Sequence, residues 1–195
     1  SGSGAHTVAA DAPRAAAAQG IWVVLDLCYE KLIYEPVPHN LPGVLARELP
    51  NQHVLCGSAS KAYAMTGWRC GWAIGPSDLV GAEGALQSHQ TSNVCSITQK
   101  AAIAALSGPQ QCVTDMLEEY RRRRDHVWQW LTADPRVTCV KPAGAFYLFI
   151  DIGGLLSPTA VRTSSEFADR LIAEAHVVTT PGEAFDAPGF LRISY

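Results

Sequence analysis

The sequence has no apolar run near the roughly 18 residues that a membrane-spanning helix requires, so no membrane span and no membrane partner are expected. Its start lacks the charged, apolar and small-residue order of a signal peptide, which argues against export and for a cytoplasmic location. Excess positive charge is missing too. Fifteen Lys and Arg against eighteen Asp and Glu leave a net charge of −3, which offers no general attraction to phosphate backbones and removes nucleic acid from the expected partners. Six cysteines, Cys28, Cys56, Cys70, Cys95, Cys112 and Cys139, include no Cys-x-x-Cys pair at zinc-ligand spacing, so no metal site is expected and the thiols read as reduced and mostly buried. Disorder is excluded by composition, since 48% of the 195 residues are hydrophobic and only 17% charged.

What is present sorts into periodic segments. Ser1-Gly2-Ser3-Gly4 reads as a linker, and the Ala-rich stretch 9–19 as a helix stopped by Gly20. Residues 21–25 form a continuous, β-branched-rich apolar run ending at Asp26, the pattern of a strand covered on both faces in a parallel sheet. Shorter strands are expected over 53–56 and 71–74, then helices over 77–87, 97–106 and, unusually long, 110–132. After Asp134-Pro135 the order becomes strands over 137–140 and 145–152, a helix over 165–176, and strands over 177–179 and 190–194. This order predicts an α/β fold with a mixed, mainly parallel sheet and helices over 1–108, a long connecting helix over 109–134, and a small α+β C-terminal domain over 135–195.

The one charge run, Glu118-Glu119-Tyr120-Arg121-Arg122-Arg123-Arg124-Asp125, falls on the long helix. At about 100° per residue, consecutive arginines spread around the circumference and cannot form one patch. Glu118 with Arg122 and Glu119 with Arg123 stand at i,i+4, so a solvated face is expected there.

Three groups sit where a strand gives way to a loop, the usual place for ligands in open α/β sheets. Asp26-Leu27-Cys28-Tyr29 puts a carboxylate at the end of an apolar strand and a phenol three residues later. By themselves these read as a helix-capping aspartate and a half-buried tyrosine. Ser58-Ala59-Ser60-Lys61, followed by Arg69 between Gly67 and Gly71, gathers hydroxyls and a guanidinium around one amine. Arg192 lies inside the apolar stretch Phe190-Leu191-Arg192-Ile193-Ser194, by itself a charge on an edge strand. Together they suit one chemistry. An aldehyde cofactor with a phosphate tail and a ring nitrogen needs an amine for the imine, hydroxyls and a guanidinium for the phosphate, and a carboxylate to keep the pyridinium protonated.

With these blocks in order, the sequence from about Gly20 to Tyr195 resembles the fold-type I, pyridoxal-phosphate-dependent aminotransferases of classes I and II, in particular the aspartate and aromatic branch. Its most specific element, Ser58-Ala59-Ser60-Lys61-Ala62-Tyr63-Ala64-Met65-Thr66-Gly67-Trp68-Arg69-Cys70-Gly71, is similar to the family's cofactor-lysine signature. Asp26 and Tyr29 match its Asp-x-x-Tyr, and Pro142-Ala143-Gly144-Ala145-Phe146-Tyr147 its small-domain loop. Pro181-Gly182-Glu183-Ala184-Phe185 matches its Pro-Gly-x-x-Phe turn, and Arg192 its substrate-carboxylate arginine. The resemblance implies that Lys61 holds the cofactor covalently and then moves a proton at the substrate Cα. Asp26 would pair with the pyridinium, Tyr29 hydrogen-bond the phenolic oxygen, Ser58, Ser60 and Arg69 hold the phosphate, and Arg192 grip the α-carboxylate.

Departures accompany the resemblance. Leu27 stands where the family commonly has Glu, and Ser1 to Gly4 lie where an Asn that contacts the cofactor is expected. The upstream segments that carry the aromatic stacking on the ring and other phosphate contacts have no counterpart, nor does the last small-domain helix. The resemblance therefore implies an N-terminally truncated aminotransferase, inactive alone, whose parent converts an amino acid and a 2-oxo acid. That parent would be a homodimer in which Thr91-Ser92-Asn93 reaches the neighbouring subunit's phosphate site. A C–S or β-lyase of the same fold, a cofactor-sensing regulatory domain and a degenerate remnant are the alternatives.

Overall fold

The computed structural model describes residues 13, 15, 16, 18–36 and 40–195. The Ala-rich helix expected over 9–19 and the linker before it fall largely outside the described residues. Gly20 sits at φ +66°, and the Ile21 amide donates to the Ala16 carbonyl at 2.9 Å, the hydrogen bond of a left-handed helix stop. No helix among the described residues is long and apolar enough to cross a membrane. The chain divides into two units, Ser1–Thr114 and Asp115–Tyr195.

The first unit is built on a three-stranded mixed sheet of order β1-β2-β3. Strand β1 (Val23–Asp26) runs parallel to β2 (His53–Ser58), with Asp26 opposite Cys56. Strand β3 (Gly71–Ile74) runs antiparallel to β2, with Ser58 opposite Gly71. The parallel pair requires a crossover, and it contains a helix that the sequence pattern concealed, α1 (Leu41–Glu48). Asn40 caps it by accepting from the Gly43 amide at 3.1 Å, Pro42 occupies its first turn where no N–H is needed, and Leu45 is buried. The Leu49 carbonyl beyond it meets the buried His53 ring at 2.6 Å, which ties α1 to the start of β2.

Coverage of β1 on both faces is not what the structure has. Among the described residues β1 is an edge strand, and Val24 of β1 and Ile74 of β3, which the register places on opposite faces of the sheet, are 65% and 58% exposed. Helix α2 (Ala59–Ala62) follows β2 directly, and α3 (Ser77–Gln90), which has no buried residue, follows β3. Helix α4 (Ser96–Ser107) buries Thr98 and Ala102.

Helix α5 (Gln111–Leu131) enters the second unit, whose antiparallel sheet has the order β4-β5-β7-β6. Its strands are β4 (Thr138–Cys139), β5 (Tyr147–Asp151), β6 (Thr180–Pro181) and β7 (Phe190–Ser194). Alternation sets the core: Leu148 and Ile150 of β5 and Leu191 of β7 turn inward to join Val137, Ile152 and Ala168. Strand β5 starts later than the apolar run suggests because Ala145 is left-handed at φ +59°. The helix expected over 165–176 is α6 (Ser164–Arg170) continued by a π-helical turn, Leu171–Ala175, and ended by His176 at φ +57°. The strand expected over 177–179 is displaced to β6, since Thr180 and Pro181 are the residues that pair with Arg192 and Leu191.

The charge run departs from a uniformly solvated face. Glu119 binds Arg122 at 2.8 Å and Arg123 at 2.7 Å, and these hydrogen bonds hold its carboxyl down at about 2. Arg121 approaches Glu118 at 3.8 Å, in place of the expected Glu118–Arg122 pair. Arg124 turns inward, 2% exposed, and donates to Asp125 at 2.8 Å and to the Pro142 carbonyl at 2.9 Å. The thiols are free, but not mostly buried as expected: Cys28, Cys56, Cys70 and Cys139 are half-buried, and Cys95 and Cys112 exposed.

Candidate functional site

Parallel pairing decides where the first group of candidate residues meets. Because β1 and β2 run the same way, their ends at Asp26 and Ser58 lie on one rim of the sheet, and antiparallel β3 begins on that rim at Gly71. Three connections emerge there: residues 27–29, the turn of α2, and the loop 63–70 that leads into β3.

Helix α2 is short and strongly pinned. The Ala59 amide donates to the Cys70 carbonyl at 3.1 Å, fixing the first residue of α2 against the start of β3. Ala59 and Ala62, three apart, are buried, and Ser60 and Lys61 between them are half-buried. The loop beyond contains two left-handed non-glycine residues, Ala64 at φ +52° and Arg69 at φ +53°, each costing about 1–2 kcal/mol. Such strain persists only where neighbours over-determine the backbone. Here the Thr66 hydroxyl donates to the Ser60 carbonyl at 3.2 Å, and Arg69 Nη1 donates to the Thr66 carbonyl at 2.8 Å. The loop therefore folds back on α2, and the guanidinium is oriented by the loop's own backbone.

On the other strand end, Asp26 Oδ1 accepts from the Cys28 amide at 2.8 Å, and the Cys28 thiol lies 3.1 Å from Ser58 Oγ. Tyr29 stands in the turn that follows, its carbonyl accepting from the Leu32 amide at 2.8 Å. Gly57 admits no side chain, because a Cβ there would overlap the indole of Trp72 on the adjacent strand. Further out, the Tyr63 hydroxyl donates to Gln110 Oε1 at 2.9 Å, while Gln110 Nε2 holds the Ala105 and Gly108 carbonyls. The structure thus brings Asp26, Ser58, Ser60, Lys61 and Arg69, with Tyr29 close behind Asp26 in sequence, to one rim of the first unit.

Arg192 belongs to the second unit, and not to an edge strand. It sits on β7, between β5 and β6. Its guanidinium lies 4.7 Å from the centre of the Tyr147 ring and 4.8 Å from that of Phe185, with Nη2 3.4 Å from Thr180 Oγ1. Two aromatic faces hold a planar cation by cation–π attraction and restrict its rotation. Phe149, directly opposite Arg192, stacks on Phe190 at 5.0 Å and meets Phe185 edge-on at 5.9 Å.

The turn that positions Phe185 is anchored from α6. Glu183 Oε1 accepts from the Ser164 amide at 3.1 Å and its hydroxyl at 3.0 Å. Burial pushes the Glu183 carboxyl up, but hydrogen bonds from its own amide, Ser164 and Ser165 outweigh that and leave it below its ordinary range.

Cys28, Thr66, Gln110 and Tyr147 were not singled out as site residues from the sequence. Tyr147 lay inside a recognised block, and two-residue periodicity puts it on the same sheet face as Phe149. Gln110 meets Tyr63 across 47 residues, and no local pattern signals that pairing.

Matches to known proteins cover nine tenths or more of the chain. The family model for aminotransferase class I and II matches residues 12–195. The aspartate aminotransferase of Geobacillus stearothermophilus is 44% identical over 178 residues, covering 91% of this chain and 45% of that protein. That of Streptomyces avermitilis is 42% identical, covering 93% and 46%. Among solved structures, the aspartate aminotransferase of Rhizobium meliloti superposes with a TM-score of 0.84 at 39% identity, over 91% of this chain and 46% of that one. A double mutant of the Thermus thermophilus enzyme gives 0.85 at 34% identity, over 97% and 48%. The chain spans a little under half the length of these relatives. With its α/β architecture and a match that runs from residue 12 to the last residue, it belongs to the aminotransferase class I and II family.

Proposed function

We propose that this chain supplies the cofactor-lysine rim and the carboxylate-binding arginine of a pyridoxal-phosphate-dependent amino-acid:2-oxo-acid aminotransferase. The observation that carries the proposal is the convergence of one amine, two hydroxyls, a guanidinium and a carboxylate on the rim formed by β1, β2 and β3. That donor set fits an aldehyde bearing a phosphate and a ring nitrogen. When bound, pyridoxal phosphate supplies an electron sink for negative charge developing at the substrate Cα.

The remaining work falls to side chains. Lys61 Nζ would hold the cofactor covalently and, as an amine, would take the proton from the substrate Cα and pass it on rather than back. Asp26 keeps the ring nitrogen protonated through a charge-assisted hydrogen bond, which a neutral side chain cannot match. Ser58, Ser60 and Arg69 donate to the phosphate, and the Tyr29 hydroxyl donates to the phenolic oxygen. Arg192 takes the substrate α-carboxylate with its planar fork, already restrained between Tyr147 and Phe185. Assembly as a homodimer, with Thr91-Ser92-Asn93 serving the neighbouring site, is part of the same proposal.

The test uses this chain joined to the complementary segment of a matched aspartate aminotransferase. It is expected to form glutamate from 2-oxoglutarate with aspartate as donor; release of ammonia in place of glutamate overturns the proposal in favour of elimination chemistry. In the same protein Arg192→Lys is expected to lower kcat/KM roughly 10- to 150-fold, the worth of one charge-assisted hydrogen bond, at unchanged cofactor content. A parallel loss of cofactor would assign Arg192 a structural role instead.

A further inference from the structure

One residue joins the two ends of the rim. The Cys28 amide holds Asp26 Oδ1 at 2.8 Å, and its thiol lies 3.1 Å from Ser58 Oγ in a half-buried contact. A serine hydroxyl has one proton and two lone pairs, while a phosphate oxygen only accepts. Ser58 can therefore serve a phosphate only by giving it that single proton. The 3.1 Å separation allows either direction, and in a phosphate site the pair would run from Cys28 to Ser58, S–H to Oγ, with the Ser58 proton turned away from the sulfur. In the opposite direction the hydroxyl would present lone pairs to an anion and repel it.

We propose that Cys28 is a positioning residue, whose thiol sets the Ser58 hydroxyl so that its proton faces the cofactor phosphate. The inference rests on the rim being a phosphate-cofactor site. Cys28 touches no reacting atom in this scheme; it acts through Ser58, and its amide steadies Asp26 from the same turn.

The test separates the phosphate from the aldehyde. The chain is incubated with equal millimolar pyridoxal phosphate or pyridoxal, reduced with borohydride, and the label at Lys61 measured by peptide mass. The ratio of the two labels is normalised to the same ratio at exposed Lys100. Cys28→Ala is expected to lower the normalised ratio at Lys61 roughly 3- to 10-fold, by weakening only the phosphate contact, with pyridoxal labelling unchanged. Cys28→Ser, which keeps a donor, is expected to restore most of it. Ser58→Ala is expected to lower the ratio at least as far, and adding Cys28→Ala to Ser58→Ala to change nothing more, because the first acts through the second.

An unchanged ratio in Cys28→Ala, additive losses in the double variant, or an equal loss with both aldehydes overturns the role assigned to Cys28. The last pattern would mean packing alone. A wild-type chain with no preference for the phosphorylated aldehyde at Lys61 overturns the cofactor proposal itself, and this inference with it.

Discussion

Lys61→Ala in the joined protein is expected to reduce amino transfer more than roughly 1,000-fold, because the proposed function gives one side chain both the covalent attachment and the proton transfer at Cα. Proton transfer by a positioned side chain alone is worth about 100- to 10,000-fold. The local fold should survive. Ala59 and Ala62 are the buried residues of α2, Lys61 is half-buried, and alanine is the best helix former. Melting temperature should therefore stay close to that of the parent while turnover is lost. Lys61→Arg is expected to be no better, since a guanidinium is neither nucleophilic nor basic in the required range. Turnover within tenfold of the parent, with the fold intact, would mean that another amine carries the chemistry.

The second large effect concerns the 195-residue chain by itself. It is expected to form no glutamate from 2-oxoglutarate above a protein-free control, and to bind pyridoxal phosphate only at high concentration. The first unit carries a carboxylate, an amine, two hydroxyls and a guanidinium on the rim of a sheet of three strands, in a chain that spans about 45% of the length of its relatives. Its apolar surface is unshielded: Val24 and Ile74 lie largely bare on the sheet, and β1 leaves one edge of backbone donors and acceptors unpaired within that sheet. The second unit shows the same character. Trp130 is 73% exposed beside an apolar groove of about 510 Å³ that Leu131, Phe167, Leu171 and Ile193 also line. At roughly 25 cal/mol per Å² of apolar area, such surfaces favour self-association. Size-exclusion chromatography with light scattering, run beside the transaminase assay, is the check. A monodisperse chain that turns over would contradict the expectation.

How far the sequence alone reached depended on the range of the interactions. Strand β7 was legible to the residue, and β3 equally so, because each is an apolar run bounded by turn residues. Helix α1 was not, since Asn40, Pro42 and Gly43 look like a loop until the Asn40 cap is seen in place. The displaced strand near 180 shows the converse: Val177 and Val178 carry strand character, but pairing is decided by which residues face Arg192, a contact outside any local window. The grouping of polar residue types at strand ends was legible, and strand ends are where ligands usually bind in open α/β sheets. Its wiring was not. The Cys28–Ser58 contact, the inward turn of Arg124 and the aromatic sandwich around Arg192 join residues that are respectively 30, 18 and 45 or 7 positions from their partners. Spacing along the chain carries no information about such pairs, which follow from strand register and loop closure.

Reductive trapping shows whether the rim of the first unit is built around Lys61 as the cofactor amine. The chain contains four lysines, Lys31, Lys61, Lys100 and Lys141. Incubation with pyridoxal phosphate, borohydride reduction and peptide mapping should place the label on Lys61 at the lowest cofactor concentration, with the other three reached only as it rises. Label on Lys31, Lys100 or Lys141 with Lys61 unmodified would contradict the account.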